Sequence, residues 1–232
     1  MPAYRSSAEA EIRDAVVARI RQHRPKARII HEINVSSFGP NRIDLIAVDR
    51  AEIIAVEIKS AKDKLDRLDA QIKAMNGCAH HVIAAIHEKF LVEQKTNDGC
   101  AHYERAGEYF MRVVPDTFRH GAHDTWVYPE RRRTLKSDAE RGWDHMEKWS
   151  FPKATLDRPL PASALDLLWK EELFTLCRLL RVSANSRSNT DTMRNDLRWY
   201  CTGKELTLGI CKMLRLRQCV EADEAIIEKD GA

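Results

Sequence analysis

The sequence predicts an α/β fold, with a mixed central sheet flanked by helices and a helical region at the C-terminal end. Three observations predict it. Apolar residues recur at helical spacing near the start, several short β-branched segments follow, and helical spacing returns after residue 163. At 232 residues and 44% hydrophobic content, the chain is large enough to bury a sizeable core.

The elements follow in order. Residues 8–22 place Ile12, Val16 and Ile20 at four-residue intervals, with Ser6 or Ser7 as a cap, so they form an amphipathic helix. Pro25 ends that run, and ARIIHEINV reads as a first strand before a turn at SSFGPN. RIDLIAV and EIIAVEIK, joined around Asp49, Arg50 and Ala51, read as two strands of a hairpin. Leu65, Leu68, Ile72 and Met75 make a helical stripe over 62–76, with Gly77 as its stop, and HHVIAAI is a further strand. The pattern over 88–114 reads as weakly helical, and 115–162 as largely irregular apart from a strand at Thr125 to Tyr128. Three helical segments, 165–182, 190–201 and 204–217, precede an acidic tail. The expected organisation is a core over residues 1–130, a connection over 131–162 and a helical region over 163–232.

Composition narrows the class of protein. No stretch approaches the ~20 apolar residues of a membrane span, and the opening MPAYRSSAEAEIRD has no apolar run behind its charges, so a soluble, cytoplasmic protein with no membrane partner is expected. Six scattered cysteines point to reduced thiols. A net charge of +3 and a pI near 8.5 permit a nucleic-acid partner without arguing for one.

The chemistry lies in the hairpin. If its turn is centred between Arg50 and Ala51, Asp44 stands opposite Glu57, and Lys59 shares the face of Glu57 by two-residue alternation. Three ionisable groups on one apolar face are expensive to bury unless a cation compensates them. Magnesium suits such a place, because it takes one or two carboxylates, keeps several waters and accepts substrate phosphate.

Asn41-Arg42-Ile43-Asp44, followed after twelve residues by Glu57-Ile58-Lys59, resembles the motif of the PD-(D/E)XK nuclease superfamily, with Ile43 where the proline version has proline. The resemblance covers residues 8–87 and implies a restriction-endonuclease-like core that hydrolyses DNA phosphodiester bonds with Mg2+, for which Mn2+ substitutes. It implies metal ligation by Asp44, Glu57 and the Ile58 carbonyl, assistance from Glu11 on the preceding helix (with Glu9 as the second choice), and a water-positioning or charge-balancing Lys59. Gln71 matches a glutamine that the following helix often turns to the site, while Met75 stands where RecB-like members have tyrosine. The intervals resemble those of archaeal Holliday-junction resolvases, and EIKSAKDKLDRLDAQ resembles MmcB-type and VRR-NUC-like repair nucleases. Restriction, repair, recombination and phage DNA processing all stay open, as do endo- and exonucleolytic cleavage, with an endonuclease the first expectation.

DNA is the expected partner, and a homodimer is an allowed assembly. Arg67, one helical turn before Gln71, is a candidate DNA contact. Arg178, Arg181, Arg187, Arg194, Arg198, Lys204, Lys212, Arg215 and Arg217, interleaved with Trp199 and Tyr200, form a candidate basic face in which Glu172 to Tyr200 resembles a SAP-like helix-loop-helix. Arg194, Arg198 and Lys204 are its named DNA contacts, and removing residues 160–232 is expected to weaken DNA binding more than chemistry. The alternatives are a catalytically inactive DNA-binding adaptor and an RNA-directed nuclease. The tetrapeptides Gly77-Cys78-Ala79-His80 and Gly99-Cys100-Ala101-His102 read as a chance repeat rather than a zinc site, since Cys-X-His lacks the usual ligand spacing.

Overall fold

A computed structural model describes residues 6–35, 42–115, 121–136, 148–155, 158–185 and 187–227. The expected turn at 36–41, part of the 131–162 connection and the end of the acidic tail lie outside the described residues. Helix α1 (Ser7–His23) starts where Ser6 Oγ accepts from the Glu9 amide at 3.2 Å. Strands β1 (Arg28–Asn34), β2 (Arg42–Val48) and β3 (Ile53–Lys59) follow, then α2 (Leu68–Asn76) and β4 (His81–His87). Helix α2 begins later than its stripe predicted because Asp63 accepts from the Ser60 amide and hydroxyl, at 2.7 and 2.6 Å, and folds the preceding residues into a turn.

Residues 88–114 correct the sequence reading. After a short 3-10 turn at Glu88–Phe90 they form β5 (Val92–Thr96), β6 (Tyr103–Arg105) and β7 (Glu108–Val113), a separate three-stranded sheet ordered β5-β7-β6. Ala106 and Gly107 both have positive φ, 52° and 74°, between the paired Arg105 and Glu108, as a two-residue hairpin turn requires. Most side chains of this sheet are exposed, so its strands lack the apolar alternation that marks a half-buried strand.

Strand β8 (Asp124–Tyr128) returns to the central sheet, whose order is β1-β2-β3-β4-β8. The first three strands are antiparallel, and β3, β4 and β8 run parallel, so the carboxyl ends of those three strands share one edge. The sheet is mixed, as expected. On one face α1 presses Ile12, Val16 and Ile20 against Leu45, Val56, Ile83 and Trp126. Helix α2 and the C-terminal helices α3 (Lys170–Leu179), α4 (Thr190–Tyr200) and α5 (Gly203–Leu216) cover the other face. Among the described residues no helix is long and apolar enough to cross a membrane.

The C-terminal helices are therefore not a loose appendage. Leu165, Leu168, Ile210 and Leu214 share one cluster with Ile46, Val48 and Ile53 of the sheet. Buried Arg28 of β1 donates to the Leu214 and Arg215 carbonyls at the end of α5, at 2.7 and 3.1 Å, and to the Asp223 carbonyl. Helices α3 and α5 approach closely at Gly209, where a Cβ would lie 2.3 Å from Leu176 Cδ1. Gly209→Ala is therefore expected to lower stability by about 1–3 kcal/mol, the usual range for overpacking. An unchanged urea midpoint would show that Leu176 has room to move.

A buried ion network ties the turn before β3 to α1 and β4. Glu52 is 4% exposed and accepts from Arg24 Nε at 2.5 Å and from the Thr155 amide at 3.0 Å, with His81 Nε2 at 3.5 Å. Burial alone would push its carboxyl up, but the bonds from His81, Arg24 and Thr155 hold it down to about 2. A depressed folded pKa means stability that is present above about 4.5 and lost as the pH falls from there toward 2, by about 3 kcal/mol in full. Acid denaturation of Glu52→Gln should start from lower stability at neutral pH and show a flatter profile below pH 4.5. Parallel profiles for the two proteins would refute this assignment.

Candidate active site

The β2–β3 hairpin keeps the expected register, pairing Leu45 with Val56, Ile46 with Ala55, Ala47 with Ile54 and Val48 with Ile53. Beyond Leu45 the Asp44 side chain takes over from the ladder, and its Oδ2 accepts from the Ile58 amide at 2.8 Å. Glu57 and Lys59 alternate onto the same side of β3 as Ile53 and Ala55, toward α2. Lys59 Nζ donates to Glu57 Oε1 at 2.7 Å and to Gln71 Oε1 at 2.9 Å. Asp44, Glu57, Ile58, Lys59 and Gln71 thus come together at the carboxyl end of β3.

The charges there are poorly balanced. Glu57 is 1% exposed, and its Oε2 is buried with no hydrogen-bond partner placed on it among the described residues. Burial, and then the Asp44 charge, push the Glu57 carboxyl up to about 8, with the Lys59 ammonium opposing them in part. Burial also raises Asp44, against the pull of the Ile58 amide, Arg13 and Lys59. Two crowded carboxylates are the donor set that a hard divalent cation accepts. Among the described residues no three His, Cys, Asp or Glu side chains are grouped to hold a metal, so any ion here would rely on two carboxylates, backbone and water.

The acid on α1 is a correction. Glu11 is exposed on the side of β8, where Tyr128 Oη donates to its Oε2 at 3.5 Å. Glu9 instead accepts from Arg13 Nη2, whose Nη1 holds the Asp44 carbonyl, and its charge weakly raises the Asp44 carboxyl. The helical phase explains the difference. The buried stripe of α1 is Ile12, Arg13, Val16 and Ile20, so Glu9, one turn before Arg13, shares that face and Glu11 does not.

Arg13 was missed altogether. Its Nη1 donates to the Asp44 carbonyl at 2.6 Å and to His31 Nδ1 at 3.1 Å, and its Nη2 donates to Glu9 Oε1 at 2.6 Å and Glu32 Oε1 at 3.1 Å. Arg42 Nε contacts Glu32 Oε2 at 2.8 Å. Burial, and next Arg13, lower His31 to about 4, so it is neutral at pH 7. Because a guanidinium only donates, His31 accepts through Nδ1 and carries its proton on Nε2. The one signal for Arg13 was an arginine in phase with Val16 and Ile20, on the apolar stripe.

The candidate DNA contacts divide. Arg67 is exposed just before α2, and Arg198 and Lys204 are exposed on the C-terminal helices, with Trp199 84% exposed. Arg194 is turned inward, with Nε 3.0 Å from Asp166 and Nη1 3.1 Å from Asp191. Arg217 donates to Glu172 and the Leu167 carbonyl. Arg215 and Arg217 are buried at the packed end of α5, and Arg194 is held in ion pairs along α4, which thins the basic face. In the repeated tetrapeptides, His80 Nδ1 accepts from the Ile53 amide and its Nε2 meets the Arg158 carbonyl. His102 accepts from the Arg112 amide in the small sheet, and all six cysteines are free.

A family model described as Bacteriophage P4 protein cII matches residues 3–96, a stretch running from α1 through β5 that holds Asp44, Glu57, Lys59 and Gln71. Comparison with curated proteins and with solved structures returns no match. Over less than half of its length, then, the chain is similar to the phage P4 cII family.

Proposed function

We propose that the chain is a divalent-metal-dependent DNA nuclease, most simply an endonuclease, with Asp44, Glu57 and Lys59 at its centre. The observation that carries this reading is Glu57: a buried carboxyl beside Asp44, whose Oε2 has no assigned hydrogen-bond partner among the described residues. Asp44, Glu57 and the Ile58 carbonyl would hold Mg2+ or Mn2+, which would supply Lewis-acid polarisation of a phosphodiester. Asp44 also fixes its own carboxylate through the Ile58 amide. Gln71 and Glu57 each take one N–H of Lys59, leaving a third for a phosphate oxygen or the attacking water. Glu9 adds negative charge beside Asp44.

A second reading, a DNA-binding adaptor without catalysis, is favoured by the Lys59–Glu57 ion pair, which gives each group a partner without a metal. Supercoiled, linear, single-stranded and branched DNA, and RNA, incubated with Mg2+, Mn2+ or EDTA separate the readings. The nuclease should cut DNA with either metal and not in EDTA, whereas retention of DNA without cutting identifies the adaptor. Magnesium at 100 times its dissociation constant should stabilise the fold by about 2.7 kcal/mol. Asp44→Asn should remove most of that gain, and melting curves insensitive to metal would count against the site.

A further inference from the structure

We infer that Arg13 is a positioning residue for the candidate active site: from α1 it holds the Asp44 backbone at the point where β2 turns over, and so aims the Asp44 carboxylate at the Ile58 amide. The inference rests on reading this face as the working centre of the protein.

Strand alternation supplies the first argument. Leu45 and Ala47 pack toward α1, so Ile43 should join them, yet Ile43 packs in the opposite core with Ile46 and Val48. On β1, Ile29 faces α1 while Ile33 lies in the opposite core. The two strands therefore change face together between the pairs His31–Leu45 and Ile33–Ile43, which puts Glu32 across from Asp44 at the pivot. Glu32 has φ 56°, a left-handed conformation that a non-glycine residue holds only when its surroundings enforce it.

Arg13 is the group that touches every side of this pivot. It is 1% exposed and reaches the Asp44 carbonyl, His31, Glu32 and Glu9, joining α1, β1 and β2. Its neighbours favour its charge, but its Nε is buried with no hydrogen-bond partner among the described residues, and a buried ion network is weak evidence of a purely stabilising role. Its fork geometry is the property that an apolar residue or a lysine lacks. By holding the Asp44 carbonyl, Arg13 fixes the backbone from which the Asp44 carboxylate reaches the Ile58 amide, and so where Asp44 stands relative to Glu57.

The test uses the full chain, with amide hydrogen exchange and NMR shifts as a readout independent of activity. In Arg13→Gln the Ile58 amide should lose its protection and shift, while the Val56 and Ala55 amides of the same strand keep theirs. The Mn2+ dissociation constant should rise, and kcat on DNA should fall, each by about 10- to 100-fold, as when a group that orients a metal ligand is lost, with KM nearly unchanged. Should Arg13→Gln fail to fold, Arg13→Lys takes its place. It keeps the charge but not the fork, and the same local loss at Ile58 is expected. An unaltered Ile58 amide overturns the inference, and so does an equal loss across β3, which would make Arg13 a packing residue. If the parent protein neither binds Mn2+ nor cuts DNA, the nuclease reading fails, and the Ile58 amide still decides the role of Arg13.

Discussion

Lys59→Met is expected to lower kcat for DNA cleavage by roughly 10²- to 10³-fold or more, the range found when one preorganised charge-stabilising donor is removed. Asp44→Asn is expected to reduce cleavage to background. The chemistry differs between the two. Methionine fills much of the Lys59 volume but has no N–H to offer Gln71, phosphate or water. Asparagine keeps an oxygen for the Ile58 amide and loses only the charge on which a cation would depend. Neither change should unfold the chain. Without Lys59, Glu57 can stay protonated, because burial and Asp44 already push its carboxyl up to about 8. Without the Asp44 charge, Glu57 is relieved of a repulsive neighbour. Steady-state kinetics on the folded, purified variants are the measurement, and full activity in either variant would remove the substituted residue from the proposed centre.

Deleting residues 160–232 is expected to abolish folding rather than detach a DNA-binding module. The deletion uncovers Ile46, Val48 and Ile53 and removes Leu165, Leu168, Leu173, Leu176, Ile210 and Leu214, all buried in one cluster. Burying each such side chain contributes about 1.5–3 kcal/mol. Losing six of them on one side alone rivals the whole stability of a domain, about 5–15 kcal/mol. Arg28 would lose its helix-end carbonyls, and the Ile29 amide would lose Asp223 Oδ2, which accepts it at 2.9 Å. Gel filtration and near-UV circular dichroism of the truncated chain should show aggregation or loss of fixed packing. A compact, cooperative fragment would restore the C-terminal region to the status of an independent unit. DNA contacts on that region are better tested singly, with Arg198→Ala and Lys204→Ala.

The sequence by itself determined the parts of this protein that depend on local pattern. Two apolar segments around Arg50 fixed the hairpin register, and two-residue alternation put Glu57 and Lys59 on one face; Gln71 is suggested by the nuclease resemblance rather than by spacing. The register and the shared face follow from the fixed period of a strand. Only the tertiary structure decided the rest. It chose Glu9 over Glu11, because that choice depends on how α1 is rotated against the sheet. It buried Arg13, Arg215 and Arg217 and tied Arg194 to Asp166 and Asp191, since their partners are distant in sequence or their helix faces are packed. It turned 88–114 into a sheet, because strands exposed on most of their surface carry little hydrophobic period to read. It laid the C-terminal helices on the sheet, because a helix's apolar stripe shows that it must be covered but not by what, and that partner is set by contacts between residues far apart along the chain.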